Sequence, residues 1–158
     1  MIKNCQTIIL LLMGFIAHSQ SAADYCDGSR YMTEVFPNVT VTKNILFGSN
    51  TTFGGAKKDL LMDIYEPHGD VANIRPVVVL AFGGSFINGQ RSDLDSLCLY
   101  FSSRGYVAAT VDYRLYDGPL FPFPSAATMT DVAIKAMGDM KAAVRFLKED
   151  AATTNLYQ

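Results

Sequence analysis

Hydrophobic and polar positions alternate loosely near the start of the chain and then give way to unbroken apolar runs. In VTVTKNILF (39–47) and LLMDIY (60–65) the two kinds of residue mix as they do in half-buried strands. The Gly, Asn and Ser cluster between them, GSNTTFGGAKKD (48–59), predicts a turn and therefore an antiparallel hairpin or meander. PVVVLAF (76–82) is continuous and rich in β-branched residues, which predicts a strand covered on both faces, as in a parallel sheet flanked by helices. YVAATVDY (106–113) predicts a second buried strand.

Between and after these runs the period changes to that of a helix. Leu94, Leu97, Cys98 and Phe101 share one face of a helix predicted over 93–104, which Ser92 could cap. A longer helix is predicted over 130–148, with Ala133, Met137, Met140, Val144 and Leu147 inward and Lys135, Asp139, Lys141 and Arg145 off that stripe. The segment YDGPLFPFPS (116–125) must be a loop, because its three prolines exclude a helix or a central strand. Buried strands alternating with helices imply an α/β domain with a mostly parallel sheet and flanking helices.

The first 22 residues have another character. Lys3, an apolar run over 7–17 and the small residues that follow have the layout of an export signal, too short in its apolar part to span a bilayer. Residues 23–158 are therefore expected to form part of a single domain, in a secreted or periplasmic protein without a membrane span after cleavage. A net charge of −2, with 18% charged residues, gives no basis for a nucleic-acid partner. Past the signal remain Cys26, Cys98 and His68, too few for a zinc site. Two readings of the cysteines stay open: a Cys26–Cys98 disulfide formed after export, or Cys98 as a small apolar residue with Cys26 a free thiol.

The chemistry-bearing segment is LAFGGSFINGQRSD (80–93). Paired glycines directly after a buried strand let the backbone turn at the carboxyl end of the sheet, where open α/β sheets bind ligands. FGGSF resembles the H-G-G-G-F oxyanion loop of lipases and esterases of the α/β-hydrolase superfamily. The order of segments around it is also similar to that family: an apolar strand before, GYVAATVDYRL after, then a long helix with DMKAAVRFLKEDA. The resemblance implies a carboxylic-ester hydrolase of the serine type, without metal or cofactor, acting on a small-molecule or polysaccharide-linked ester. It places the oxyanion-binding N–H groups at Gly84 and Ser85, with Gly83 permitting the turn. Phe82 stands where many members have His, and Ser85 replaces a glycine.

In that family the long helix leads to a strand and a G-x-S-x-G nucleophile elbow. The expectation is that this chain supplies the oxyanion loop but not the nucleophile, acid or base, and by itself is inactive and poorly packed, with PVVVLAF an unpaired edge. The alternative is a non-catalytic truncated hydrolase or an exported binding module on the same scaffold. Ser85 is not expected to be the nucleophile, since Ile87 occupies the second glycine's place, and His68 precedes rather than follows it. Asp112 and Arg114 are expected to hold loops together through ion pairs, and Phe121 and Phe123 either to line an acyl or aryl pocket or to pack their loop down.

Overall fold

The computed structural model describes residues 29–154 and 156–157. The export signal read in residues 1–22, and Cys26, lie outside the described residues. Strands β1 (Val39–Thr51) and β2 (Lys57–Pro67) form the expected antiparallel hairpin. They reach further than their composition suggests: Gly48, Ser49, Asn50 and Thr51 pair with Leu60, Asp59, Lys58 and Lys57. Pairing overrides the turn preference of Gly, Ser and Asn until Thr52 closes a tight turn on Ala56, with Thr52 N–H donating to its carbonyl at 2.8 Å.

Strand β3 (Val77–Ala81) pairs in parallel with β4 (Val107–Val111), and β4 pairs antiparallel with β2, giving the order β1-β2-β4-β3. The sheet described is therefore mixed rather than mostly parallel. Only the β3-to-β4 connection is a crossover that passes through a helix, and parallel pairing requires such a crossover.

The two apolar runs behave differently. All five residues of β4 are buried, as expected of a strand covered on both faces. None of the five in β3 is buried, and Val77 stands 41% exposed. Among the described residues β3 has one neighbouring strand, so its far edge and part of each face stay open.

Helix α1 (Asp95–Ser102) covers one face, where Cys98 packs with Tyr65, Ala108, Leu80 and Phe101. A 3-10 turn, Arg91–Leu94, precedes it and contains Ser92; the start of this turn is fixed instead by Gln90, whose N–H donates to the Asp93 carboxylate at 3.0 Å. Helix α2 (Ala126–Ala152) covers the other face, where Ala143 and Leu147 pack on Met62, Ile64, Val107, Ala109 and Val111. It begins a turn earlier than its apolar stripe, because the Ser125 hydroxyl accepts from Thr128 N–H at 3.1 Å and caps it. Among the described residues, no helix is long and apolar enough to cross a membrane.

The inward stripe of α2 is shifted from the one its apolar residues predict. Val132, Ala136, Asp139, Ala143 and Leu147 are buried, while Met137 is 54% exposed and Val144 also faces outward. Asp139 sets this orientation. Both its oxygens accept from the Arg114 guanidinium, at 2.8 and 2.9 Å, and it also accepts from Arg114 N–H at 2.9 Å. The remaining Arg114 donors reach Thr51 O and Lys135 O. Removing one partner of a buried pair strands the other charge, so Asp139→Ala is expected to lower stability by about 3–5 kcal/mol, read from the denaturant midpoint. Arg114→Met with Asp139→Leu should cost clearly less than either single change.

A second ionic cluster lies at the amino-terminal edge of β3. Asp70 accepts from Arg30 at 2.5 and 3.0 Å, from Arg75 at 2.6 Å and from Ala72 N–H at 3.1 Å. Burial would push its carboxyl up, but these donors outweigh burial and bring it down to about 2. A depressed carboxyl stabilises the folded state above its unfolded value of about 4 and loses that contribution as pH falls toward its folded value. The stability difference between the wild type and Asp70→Asn should therefore be about 2 kcal/mol near neutrality and vanish between about pH 4 and 2, measured by urea unfolding across pH.

Candidate functional site

Because β3 and β4 run parallel, the loops leaving Ala81 and Val111 emerge at one edge of the sheet. The β1–β2 turn reaches the same edge, since β2 runs against β4. The segment after β3 is FGGSFINGQ, and its conformation is unusual. Gly84, Ser85 and Phe86 follow one another at φ +125, +55 and +61. Non-glycine residues in this region cost of order 1–3 kcal/mol each and concentrate at functional sites.

Gly84 is the residue that makes the turn. A Cβ there would lie 2.0 Å from Asn88 O, and the Gly84 carbonyl accepts from Ile87 and Asn88 N–H at 3.0 and 3.2 Å. The turning role expected of Gly83 falls to Gly84: Gly83 is outside the left-handed region, and a Cβ on it would meet nothing within 4 Å. Among the described residues, no oxygen accepts from the N–H groups of Gly83, Gly84 or Ser85.

These residues line a cavity of about 480 Å³ with Phe82, Phe86, Tyr113, Met137, Met140 and Lys141, so the unclaimed amides border a largely apolar space. Its floor is aromatic. Phe82 is buried and stacks on Tyr113 with centroids 4.4 Å apart, and Phe86 meets Tyr113 edge-on at 6.0 Å. The Tyr113 hydroxyl donates to Phe82 O at 2.6 Å, and burial raises its pKa, so it remains a donor at neutral pH. Gly89 closes the loop over this pair: a Cβ there would stand 2.5 Å from the Phe82 ring.

Arg91 holds the far end of the loop. Its guanidinium donates to Asp63, to Asp112 at 3.1 Å and to Asn44 Oδ1 at 3.0 Å, and its carbonyl accepts from Thr110 Oγ1 at 3.2 Å. Asp112 and Arg114 thus tie loops together by ion pairs, as expected. Nothing in the sequence marks Arg91, because Asp63 and Asn44 are 28 and 47 residues away. Gly89 and Tyr113 were visible only as one more glycine and part of DYRL.

Other candidates are not gathered here. His68 follows β2 at Pro67, and β2 pairs Tyr65 with Ala108 near the start of β4, so His68 lies at the opposite edge of the sheet from Ser85. Its Nδ1 is 3.1 Å from Thr40 Oγ1. Phe121 and Phe123 are 94% and 68% exposed and neither pack their loop down nor line the cavity. Cys98 is a free thiol with no exposed surface, pushed up to about 12 mainly by burial, and its candidate partner Cys26 lies outside the described residues. Among the described residues no cluster of His, Cys, Asp and Glu could hold a metal ion.

The BD-FAE family model matches residues 62–158. Among solved structures, esterase 2 of Thermogutta terrifontis phosphoramylated by tabun aligns over 75% of this chain at 26% identity, with a TM-score of 0.50. The butyrate-bound form of the same esterase aligns over 78% of the chain, again at 26% identity and a TM-score of 0.50. Esterase B of Lactobacillus rhamnosis, inhibited by C6-C4 SN3, shares the fold at 23% identity and a TM-score of 0.51, over 82% of this chain and 36% of its own. The chain spans 38% of the length of the esterase 2 structures. No curated protein is significantly similar.

The glycine geometry makes a sharp expectation. Gly84→Ala should cost about 2 kcal/mol or more, since the backbone must leave its φ and the new Cβ has nowhere to go. Gly83→Ala should stay within about 0.5 kcal/mol. Equal denaturant midpoints for the two variants would contradict this assignment of the turn.

Proposed function

The chain belongs to the BD-FAE family of α/β-hydrolase-like esterase domains, and from that premise we propose that it contributes the oxyanion loop of an exported carboxylic-ester hydrolase. The observation that supports this reading best is the unclaimed N–H groups of Gly84 and Ser85 beside an apolar cavity at the carboxyl edge of the sheet. Attack on an ester carbonyl places negative charge on its oxygen, and preset amide donors in a site of low polarity stabilise that charge without reorganising. The positive φ of Gly84 and the strained left-handed backbone of Ser85 and Phe86 hold the amides where helix or sheet would otherwise consume them.

The serine nucleophile, histidine and acid that such a reaction uses are supplied, in this proposal, from outside these 158 residues. Ser85 offers its amide rather than its hydroxyl. The butyrate bound by esterase 2 supports a small acyl group as the first substrate to test. Reading residues 1–22 as an export signal supports a secreted or periplasmic protein in this proposal. The second reading is a non-catalytic module on the same scaffold, in which the cavity beside Gly84 and Ser85 binds without chemistry.

The 158-residue chain alone is expected to hydrolyse p-nitrophenyl butyrate no faster than its Ser85→Ala variant. Serine-dependent turnover blocked by a fluorophosphonate would overturn that division of roles. In the hydrolase at full natural length, replacing the Ser85 peptide N–H by an ester oxygen should lower kcat about a hundredfold or more. Failure of that protein to react with a fluorophosphonate would favour the non-catalytic module.

A further inference from the structure

We infer that Arg91 is a positioning residue that fixes the loop bearing Gly84 and Ser85 in its strained conformation; this inference rests on the esterase reading for its catalytic consequence. The loop leaves the sheet at Ala81 and rejoins regular structure at the 3-10 turn Arg91–Leu94. At its first end the Phe82–Tyr113 stack and the Tyr113 hydroxyl hold it. At its second end Arg91 is the anchor. The side chain is 14% exposed and sits between two carboxylates, Asp63 and Asp112, that are 6% and 18% exposed.

Each nitrogen of the guanidinium has its own strand to hold. Nε reaches Asp112 just after β4, Nη1 reaches Asp63 within β2, and Nη2 reaches Asn44 in β1. Asn44 is itself at φ +61, within the first register shift of β1, between Thr42 and Ile45, and its N–H donates to Asp63 at 2.8 Å. The β1 irregularity therefore turns a side-chain amide toward the loop's anchor. The backbone shares in the attachment, since Arg91 O accepts from Thr110 Oγ1 in β4. A lysine would keep the charge but could not reach three directions from one planar group.

Two conditions make this a matter of catalysis as well as folding. The loop residues 84–86 occupy conformations that relax once a restraint is lost, and oxyanion donors act only when held to within a fraction of an ångström. Loosening Arg91 should then lower the chemical step and leave substrate binding in the apolar cavity nearly unchanged.

The test uses the hydrolase at full natural length. Arg91→Met is expected to lower kcat for p-nitrophenyl butyrate about tenfold to a hundredfold with KM changed less than about threefold, and Arg91→Lys to recover part of the loss. Hydrogen exchange should quicken in amides 83–90 while those of β4 keep their protection. Asn44→Gly suits the left-handed backbone at that position and removes one contact, so it should give the same pattern, weaker, should Arg91→Met fail to fold. Unchanged kcat, or exchange that quickens uniformly through the sheet, would overturn the role of Arg91. If the parent protein neither hydrolyses esters nor reacts with a fluorophosphonate, the esterase reading falls, and the exchange measurement alone decides whether Arg91 holds the loop.

Discussion

One buried ion pair sets the frame within which the site is built. Arg114 leaves the sheet just past β4 and uses its guanidinium to hold Asp139 on α2, the Thr51 carbonyl at the hairpin turn and the Lys135 carbonyl one helical turn earlier. Helix, hairpin and central strand are thereby fixed at the one edge where the loops gather. Such a pair adds little net stability over an apolar replacement, because desolvation offsets its attraction. What it contributes is orientation. With Asp139 turned inward, Met137 and Lys141 must turn toward the open flank, where they form one wall of the cavity beside Gly84 and Ser85.

That pair also explains why the fold was partly legible and partly not. The helix over 126–152 was visible from its period, but of its apolar stripe Leu147 and Met140 pack on the core while Met137 and Val144 face outward, so the buried face is shifted. Hydrophobicity alone ranks a methionine inward of an aspartate, and a carboxylate with three donors reverses the ranking. A similar limit applies to the strands. VVVLA is the more apolar of the two, yet among the described residues only VAATV has strands on both sides. Composition reports that a segment can be buried, whereas its place in the sheet decides whether it is.

At the site, glycine spacing located the loop and misassigned the turn. FGGSF gives two adjacent glycines, and which one needs its freedom depends on Asn88 and on Gly89 pressing against Phe82, contacts that arise only once the loop has closed. Phe82 itself looked like a departure from the family's histidine. In the structure it is the base of the loop, stacked on Tyr113. Arg91 had no local signal, because an arginine reads as a surface residue until its three distant partners converge.

The sheet's polarity constrains where the remaining chemistry can come from under the esterase reading. Gly84 and Ser85 sit past the end of β3, and α2 closes one side of their cavity through Met137 and Met140. The aromatic floor and the Arg91 cluster occupy the side toward β4 and β2. A serine oxygen must come within about 3 Å of the carbonyl whose oxygen these amides bind. Among the described residues, the side left open to it is the flank of β3 that no strand pairs, where Val77 and Val144 are exposed. A strand laid along that flank in parallel would end at the same edge as the oxyanion loop, and would also cover the apolar surface that β3 and α2 now leave in water. One segment so placed would satisfy the catalytic and the hydrophobic requirement together.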